Sequence, residues 1–89
     1  MTTPNFKLYI KTYCPWCYSA EAYLRQHGFQ YEAVDVCKDA AAFAELKRVS
    51  GQTYAPTLAA GELVLPDFDT EELEDFLEEH DIRPQALAD

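Results

Sequence analysis

The sequence lacks the features of several protein classes. No stretch approaches the roughly 18 uninterrupted apolar residues that a membrane-spanning helix needs, so we expect no membrane segment. The first five residues, Met-Thr-Thr-Pro-Asn, carry neither the basic region nor the apolar run of a secretory signal, and we therefore expect a cytoplasmic protein. Only seven Lys and Arg stand against sixteen Asp and Glu, and this net charge of −9 argues against a nucleic-acid partner, which needs a basic surface.

The composition is that of one folded domain. The chain of 89 residues is 48% hydrophobic, with six Tyr, five Phe, only three Gly and no internal repeat or linker. Such a chain buries enough apolar area to offset its ordering entropy. We expect a single domain over 1–89, with an ordered core over about 6–80 and a tail over 81–89. Ten of the sixteen carboxylates fall between Glu62 and Asp81, which is typical of a solvated helix face; a docking surface for a basic partner is the alternative.

Three cysteines are too few for a disulfide framework. Cys14 and Cys17 form a Cys-x-x-Cys motif and Cys37 is left over, a pattern that indicates redox chemistry or metal binding. A zinc site needs four ligands, and the remaining candidates, Cys37, His27 and His80, include no second pair at ligand spacing, so we expect no metal. We interpret both histidines as structural. For Cys37 we expect the role of a small buried hydrophobe, with a regulatory thiol as the alternative.

Hydrophobic periodicity and turn residues predict the element order β-α-β-α-β-β-α. A strand–helix–strand start implies two parallel strands, and the later hairpin adds antiparallel partners. We therefore predict an α/β fold of the thioredoxin-like type, a four-stranded mixed sheet with helices on both faces, in which a Cys-x-x-Cys at the first strand-to-helix turn is a redox motif. The predicted strands are 6–10, 30–36, 56–60 and 62–65, and the predicted helices run from Pro15 to a cap at Gly28, from about Asp39 to Gly51, and from an Asp69-Thr70 cap through His80.

The position of the two cysteines predicts their division of labour. Cys14 ends the loop after the first strand, and Pro15 suits the first helical position because that amide has no helical partner. Unpaired N–H groups and the positive end of the helix dipole at Cys14 favour the thiolate, which is the nucleophile, and Lys11 adds positive charge. Cys17 lies one turn inward and better shielded. We predict that Cys14 attacks and Cys17 resolves.

Two segments carry a resemblance to a known family. Residues 11–17, Lys-Thr-Tyr-Cys-Pro-Trp-Cys, closely resemble the Lys-x-x-Cys-Pro-Tyr-Cys of dithiol glutaredoxins. Residues 50–56, Ser-Gly-Gln-Thr-Tyr-Ala-Pro, resemble the Ser-Gly-x-x-Thr-Val-Pro loop of the same family. The likeness extends from Phe6 to about Glu79. It implies that Pro56 is a cis-proline facing the disulfide, and that the backbone of Ala55 pairs with a bound peptide such as glutathione; an ordinary proline that opens an edge strand is the alternative.

The resemblance also implies glutathione as cosubstrate. The lysine matching Lys11 holds the glycine carboxylate in the family, and the aromatic side chains matching Tyr13 and Trp16 flank the groove. Lys47 and Arg48 are candidates for the outer part of a positive rim. Solvated surface cations are the alternative for all three basic residues.

One loop departs from the family pattern. Glutaredoxins carry Gly-Gly-x-Asp-Asp after the last strand, whereas residues 65–70 read Leu-Pro-Asp-Phe-Asp-Thr. Together with the segment 55–58, this loop resembles the N-terminal domains of glutathione transferases, in which an acid at the turn holds the γ-glutamyl group. The resemblance implies that Asp67 pairs with the γ-glutamyl ammonium. The alternative is a helix-capping role, for which Asp69 is better placed.

The residues and the resemblance together predict an enzyme that uses a Cys14/Cys17 dithiol. We expect a monomeric, glutathione-dependent thiol–disulfide oxidoreductase that reduces disulfides of client proteins and protein–glutathione mixed disulfides. One alternative is an electron donor recharged by thioredoxin reductase. Another is a module that binds an iron–sulfur cluster between two protomers through Cys14, against which Pro15 argues, since cluster binders in the family carry a smaller residue there.

Overall fold

The computed structural model describes residues 5–84 and has the predicted order of elements. Local signals set their ends: Pro15 opens the first helix, Gly51 at φ 74° ends the second, and a capping box between Asp69 and Glu72 opens the third. The strands are β1 (Phe6–Ile10), β2 (Tyr31–Asp35), β3 (Thr57–Ala60) and β4 (Leu63–Leu65), and the helices are α1 (Pro15–Gln26), α2 (Ala40–Ser50) and α3 (Thr70–Glu79).

The four strands form one mixed sheet in the order β2-β1-β3-β4. β1 runs parallel to β2, with Ile10 opposite Asp35, and antiparallel to β3, with Tyr9 opposite Thr57. The end of β1, the end of β2 and the beginning of β3 therefore meet at one edge of the sheet. The loops that follow β1 and precede β3 carry the Cys-x-x-Cys motif and Pro56 respectively, so the topology brings these two sequence motifs together.

Helices cover both faces of the sheet, as predicted. On one face, α1 and α3 pack against the sheet through apolar side chains that include Leu24, Leu73 and Leu77. On the other face, Ala42 and Leu46 of α2 pack against Tyr9 and Val36. Within residues 5–84, no helix combines the length and apolar character needed to cross a membrane.

The structure corrects two sequence predictions. Cys37 is exposed rather than buried, because it lies in the turn after β2, where its N–H donates to Asp35 Oδ1 at 2.8 Å. The predicted tail over 81–89 begins too early, because Ile82 packs into the core beside α3 and its N–H donates to the Leu77 carbonyl at 2.9 Å. Residues 85–89 of that tail, and residues 1–4, on which the signal-peptide expectation partly rests, lie outside the described residues.

The two histidines lie at helix ends rather than within the core. His27 caps α1 and stacks on Tyr23 with ring centroids 4.2 Å apart, and His80 caps α3 and stacks on Phe76 at 4.8 Å. Both rings are exposed and contact an aromatic side chain of their own helix.

Candidate active site

Cys14 is the N-cap residue of α1. Its Sγ accepts a hydrogen bond from the N–H of Cys17 at 3.3 Å, and its carbonyl oxygen accepts from Cys17 and Tyr18 at 3.1 and 3.2 Å. The sulfur therefore occupies the place that a capping oxygen takes in other helices, where backbone N–H groups stabilise negative charge. Cys14 is half-buried, and one side of it remains open to solvent.

Cys17 lies behind Cys14 and is only 1% exposed. Burial, and next a hydrogen bond to Cys14, raise the pKa of the Cys17 thiol to about 12, and the backbone N–H of Lys11 opposes this shift in part. At neutral pH Cys17 is therefore a protonated thiol in the reduced protein. The two cysteines occupy different environments, which is what a nucleophile and a resolving thiol require.

The loop before β3 faces the sulfur of Cys14. The Ala55–Pro56 peptide bond is cis, and the Ala55 carbonyl oxygen lies 3.9 Å from Cys14 Sγ. Tyr54, the preceding residue, is an exposed aromatic that sequence reasoning did not single out. The sequence did offer one indication of Tyr54: it directly precedes Ala55 and stands where the family pattern Ser-Gly-x-x-Thr-Val-Pro has threonine.

A groove of about 220 Å³ lies between Trp16 of α1 and the start of α3. Neither cysteine is in its lining, but Trp16 stands between Cys14 and Cys17 in the sequence and Pro56 follows Ala55, whose carbonyl faces Cys14. The exposed indole of Trp16 and the buried rings of Pro56 and Phe68 form its apolar part. Asp67 lies in the groove at φ 48°, a backbone conformation that aspartate and asparagine adopt more readily than most residues. The described lining of the groove is Trp16, Pro56, Asp67, Phe68, Asp69 and Glu72. A larger cavity, of about 550 Å³, lies at the other end of α1, where Tyr23 and His27 belong to its lining.

The groove carries three carboxylates, and several nearby N–H groups are already paired. Asp69 accepts from the N–H of Glu72 at 2.8 Å, while Glu72 accepts from the N–H of Asp69 at 3.1 Å. The N–H of Phe68 donates to the Pro56 carbonyl at 3.3 Å. This end of the groove thus presents negative charge and offers few of the amide donors that would receive an anion.

The loop before Cys14 supplies the opposite charge. Lys11 is half-buried and forms no ion pair within residues 5–84, and Tyr13 is 86% exposed at φ 59°. The neighbouring Thr12 hydroxyl donates to Asp35 Oδ2 at 2.7 Å, and this hydrogen bond is the main cause of the lowered pKa of Asp35. Asp35 therefore ties the loop before Cys14 to the turn after β2, a contact that sequence analysis missed although both strands were predicted to end at this edge.

Arg48 does not join a positive rim around the thiol. Its guanidinium lies 3.7 Å from Glu45, whose other oxygen accepts from Lys7 at 2.6 Å and from the Tyr9 hydroxyl at 2.7 Å. Arg48 is thus paired within a cluster of α2 and β1 side chains, which favours the alternative of a solvated surface cation. Lys47 is exposed in the last turn of α2.

The fold and the paired thiols define a class of protein, a thiol oxidoreductase of the thioredoxin-like fold. The family model for glutaredoxin matches residues 6–64, which is more than half of the chain. This chain therefore belongs to the glutaredoxin family, as the resemblance of its two motifs predicted. Within residues 5–84, no group of three or more His, Cys, Asp or Glu side chains is placed to hold a metal ion.

Solved structures show the same fold. The thioredoxin-like protein BC3987 is 30% identical, with a TM-score of 0.74 over 81% of this chain and 99% of that one. The buckwheat glutaredoxin–glutathione complex is 23% identical, with a TM-score of 0.67 over 91% and 82% of the two chains. NrdH-redoxin from Escherichia coli, described as a glutaredoxin-like protein with a thioredoxin-like activity profile, is 24% identical, with a TM-score of 0.67 over 80% and 92%. A search of curated protein sequences finds no match.

Proposed function

We propose that this chain is a monomeric, cytoplasmic disulfide reductase that uses glutathione as its electron donor. The carrying observation is the contrast between the two thiols. Cys14 caps α1 beside an open groove, whereas Cys17 is buried one turn behind it with a pKa of about 12. One thiol is placed to meet a substrate and the other to act only after the first has reacted.

The first step is attack by the Cys14 thiolate on a sulfur of the client's disulfide. A bond forms between Cys14 Sγ and that sulfur, the client's S–S bond breaks, and the second client sulfur leaves as a thiolate. We expect the Ala55 backbone, whose carbonyl faces Cys14 Sγ, and the groove formed by Trp16 and Pro56 to hold the client chain. In a protein–glutathione mixed disulfide, the same attack transfers the glutathionyl group to Cys14 and releases the protein thiol.

The second step follows one of two routes. In the mixed disulfide Cys14 carries no negative charge, so the hydrogen bond and the charge by which Cys14 raises the Cys17 pKa are both removed. Burial, the largest cause of the raised pKa, remains, but Cys17 loses its proton more readily than in the dithiol. Its thiolate then attacks Cys14 Sγ and expels the remaining client thiolate, which leaves a Cys14–Cys17 disulfide. Two glutathione molecules return that disulfide to the dithiol and leave as glutathione disulfide. In the other route, a glutathione thiolate attacks the glutathionyl sulfur on Cys14 and frees the Cys14 thiolate directly.

Charged residues at both ends of the site support glutathione as the donor. Lys11 is a cation without an ion pair in the described part of the chain, suited to the glycine carboxylate of glutathione. Asp67 supplies a carboxylate at the groove, suited to the γ-glutamyl ammonium. Tyr13 and Trp16, which flank Cys14 in the sequence, are exposed aromatic side chains suited to contact the body of the tripeptide.

A second candidate, an electron donor recharged by thioredoxin reductase, is favoured by one observation. The γ-glutamyl group carries a carboxylate as well as an ammonium, and Asp69 and Glu72 place two further negative charges in the groove. The N–H groups of Phe68 and Asp69 are already hydrogen-bonded within the protein. A dithiol that receives its electrons from another protein does not need to bind this carboxylate.

A coupled assay separates the two candidates. NADPH oxidation is followed with the same disulfide substrate, once with glutathione and glutathione reductase and once with thioredoxin reductase, and the Cys14→Ser variant is the blank. Turnover with the glutathione system supports the proposal, and turnover with thioredoxin reductase alone supports the second candidate. Absence of turnover in both systems contradicts disulfide reduction as the function.

A further inference from the structure

Thr57 is buried beside the active site and has no part in the chemistry described above. It is the first residue of β3, directly after Pro56, and it is 0% exposed. Apart from tyrosine and cysteine, it is the one residue with a polar side chain that is buried within residues 5–84. Burying a hydroxyl without a hydrogen-bond partner lowers the stability of the fold, so the partners of the Thr57 hydroxyl indicate its role.

The Thr57 hydroxyl connects two segments that approach the thiol from different parts of the chain. It donates to the Tyr54 carbonyl at 2.8 Å and accepts from Gln52 Nε2 at 3.1 Å, both in the loop before β3. It also accepts from the N–H of Asp67 at 3.4 Å, in the turn before α3. A hydroxyl has one donor and two acceptor sites, so these partners use its full capacity.

Gln52 extends this network to α2. Its Nε2 also donates to Ser50 Oγ at 2.7 Å, and Ser50 Oγ donates in turn to the Leu46 carbonyl at 2.6 Å. Leu46 is fully buried in the core between α2 and the sheet. The Thr57 hydroxyl is thus anchored to a fixed part of the fold rather than to a loop alone.

We infer that Thr57 is a positioning residue whose hydroxyl sets the spacing between the Ala55 carbonyl that faces Cys14 and the turn that brings Asp67 to the groove. The hydroxyl holds Tyr54, which directly precedes Ala55, and Asp67, which lines the groove. Ala55 and Asp67 are the two groups that we propose to contact a substrate held at Cys14. A substrate that contacts both groups needs this spacing, whereas a small reagent that touches only the sulfur does not. The inference rests on the proposed disulfide-reductase function.

Two substitutions separate the hydroxyl from the rest of the side chain. Thr57→Val keeps the volume and the β-branched shape but removes the hydroxyl, and Thr57→Ser keeps the hydroxyl but removes the methyl group. We expect kcat/KM for a glutathione mixed disulfide to fall about five- to tenfold in the valine variant, because all three hydrogen bonds of the hydroxyl are lost and the spacing of the two segments is no longer fixed. We expect the serine variant to retain the wild-type value. Thr53→Val is the matched control, since Thr53 lies in the same loop and forms no hydrogen bond with a residue that the structure describes.

Two further measurements distinguish positioning from general damage. The rate at which iodoacetamide modifies Cys14 should stay within about twofold of wild type in all variants, because this reaction needs only the helix N-terminus. Hydrogen exchange at the Asp67 amide should be faster in the valine variant alone. The inference is overturned if iodoacetamide and disulfide rates fall together, if neither changes, or if the serine variant behaves like the valine variant. If wild type reduces no disulfide, the proposed function fails, and the exchange rates at Asp67 in the two variants still decide whether Thr57 positions the turn.

Discussion

The role of Asp67 leads to a prediction whose size can be worked out from its position. Asp67→Asn removes one negative charge from the groove and leaves the shape of the side chain unchanged. Asparagine adopts the φ of 48° found here as readily as aspartate, so the turn should keep its conformation. Any change in KM then reports on charge rather than on folding.

The expected magnitude follows from exposure. Asp67 is solvent-exposed, and two opposite unit charges about 4 Å apart in a water-like medium attract by about 1 kcal/mol. Measured exposed pairs contribute about 0.2–1 kcal/mol, and about 1.4 kcal/mol corresponds to a factor of ten. If Asp67 pairs with the γ-glutamyl ammonium before and during reaction alike, the KM for glutathione should rise by a factor between about 1.4 and 5 and kcat should stay nearly constant.

The assay is steady-state kinetics with glutathione as the varied substrate, with circular dichroism as the check on folding. Asp69→Asn is the control, because it removes a charge from the same groove while asparagine caps α3 about as well as aspartate. We expect little change in KM for this variant. An unchanged KM in Asp67→Asn would refute the pairing. A lower KM in both variants would show that the groove repels glutathione, and would favour a client or reductase with a basic surface.

The remaining predictions concern the cysteines and the response to pH. Cys14→Ser should abolish reductase activity, whereas Cys17→Ser should still reduce glutathione mixed disulfides but not intramolecular protein disulfides; loss of both reactions in Cys17→Ser would rule out the glutathione route. A brief iodoacetamide pulse at neutral pH should label the half-buried Cys14 and the exposed Cys37 and leave Cys17 unlabelled, because burial raises the pKa of Cys17 to about 12, which mass mapping would show; labelling of Cys17 as fast as the other two contradicts this order. The hydrogen bond from Lys7 is the main cause of the lowered pKa of Glu45. The stabilisation from this carboxylate is therefore fully present above the ordinary pKa of a glutamate and is lost as the pH falls through the lowered value. Urea unfolding of wild type and Glu45→Gln should therefore show a gap in stability that narrows on acidification, and a gap independent of pH would contradict this account.

The fold was predictable because its determinants are local. Each helix end carries its own signal, such as Pro15 at the start of α1, Gly51 after α2 and the Asp69 cap of α3, and each signal acts within one turn of backbone. The parallel arrangement of β1 and β2 follows from the intervening helix, and the antiparallel hairpin follows from Gly61. These signals need no knowledge of distant contacts.

The site was predictable to the extent that its residues are close in sequence. The spacing of Cys14 and Cys17 and the proline between them fix which thiol caps the helix, so the chemistry of the pair followed from physical argument. The approach of Ala55 and Pro56 to the sulfur did not, since 41 residues separate Ala55 from Cys14 and only the family resemblance brought the two segments together. Cys37 shows the limit of the local argument: the end of β2 was well placed by its sequence, but whether the next side chain points inward depends on the turn that follows.

Contacts between polar side chains were beyond the reach of the sequence for a physical reason. Asp35 and Thr12 are 23 residues apart, and Tyr9 and Glu45 are 36 apart, so neither pair shares a helix turn or a strand register from which its contact could be inferred. Charge raises the same difficulty: the sequence counts ten carboxylates between Glu62 and Asp81, but only the fold shows that Asp67, Asp69 and Glu72 line the groove beside the thiol. We expect these three carboxylates, rather than the net charge of −9, to act on a substrate that is bound near Cys14. Because salt screens distant charges more than near ones, we expect the carboxylates of this groove to weigh more than the net charge in the choice between an anionic tripeptide and a basic protein partner.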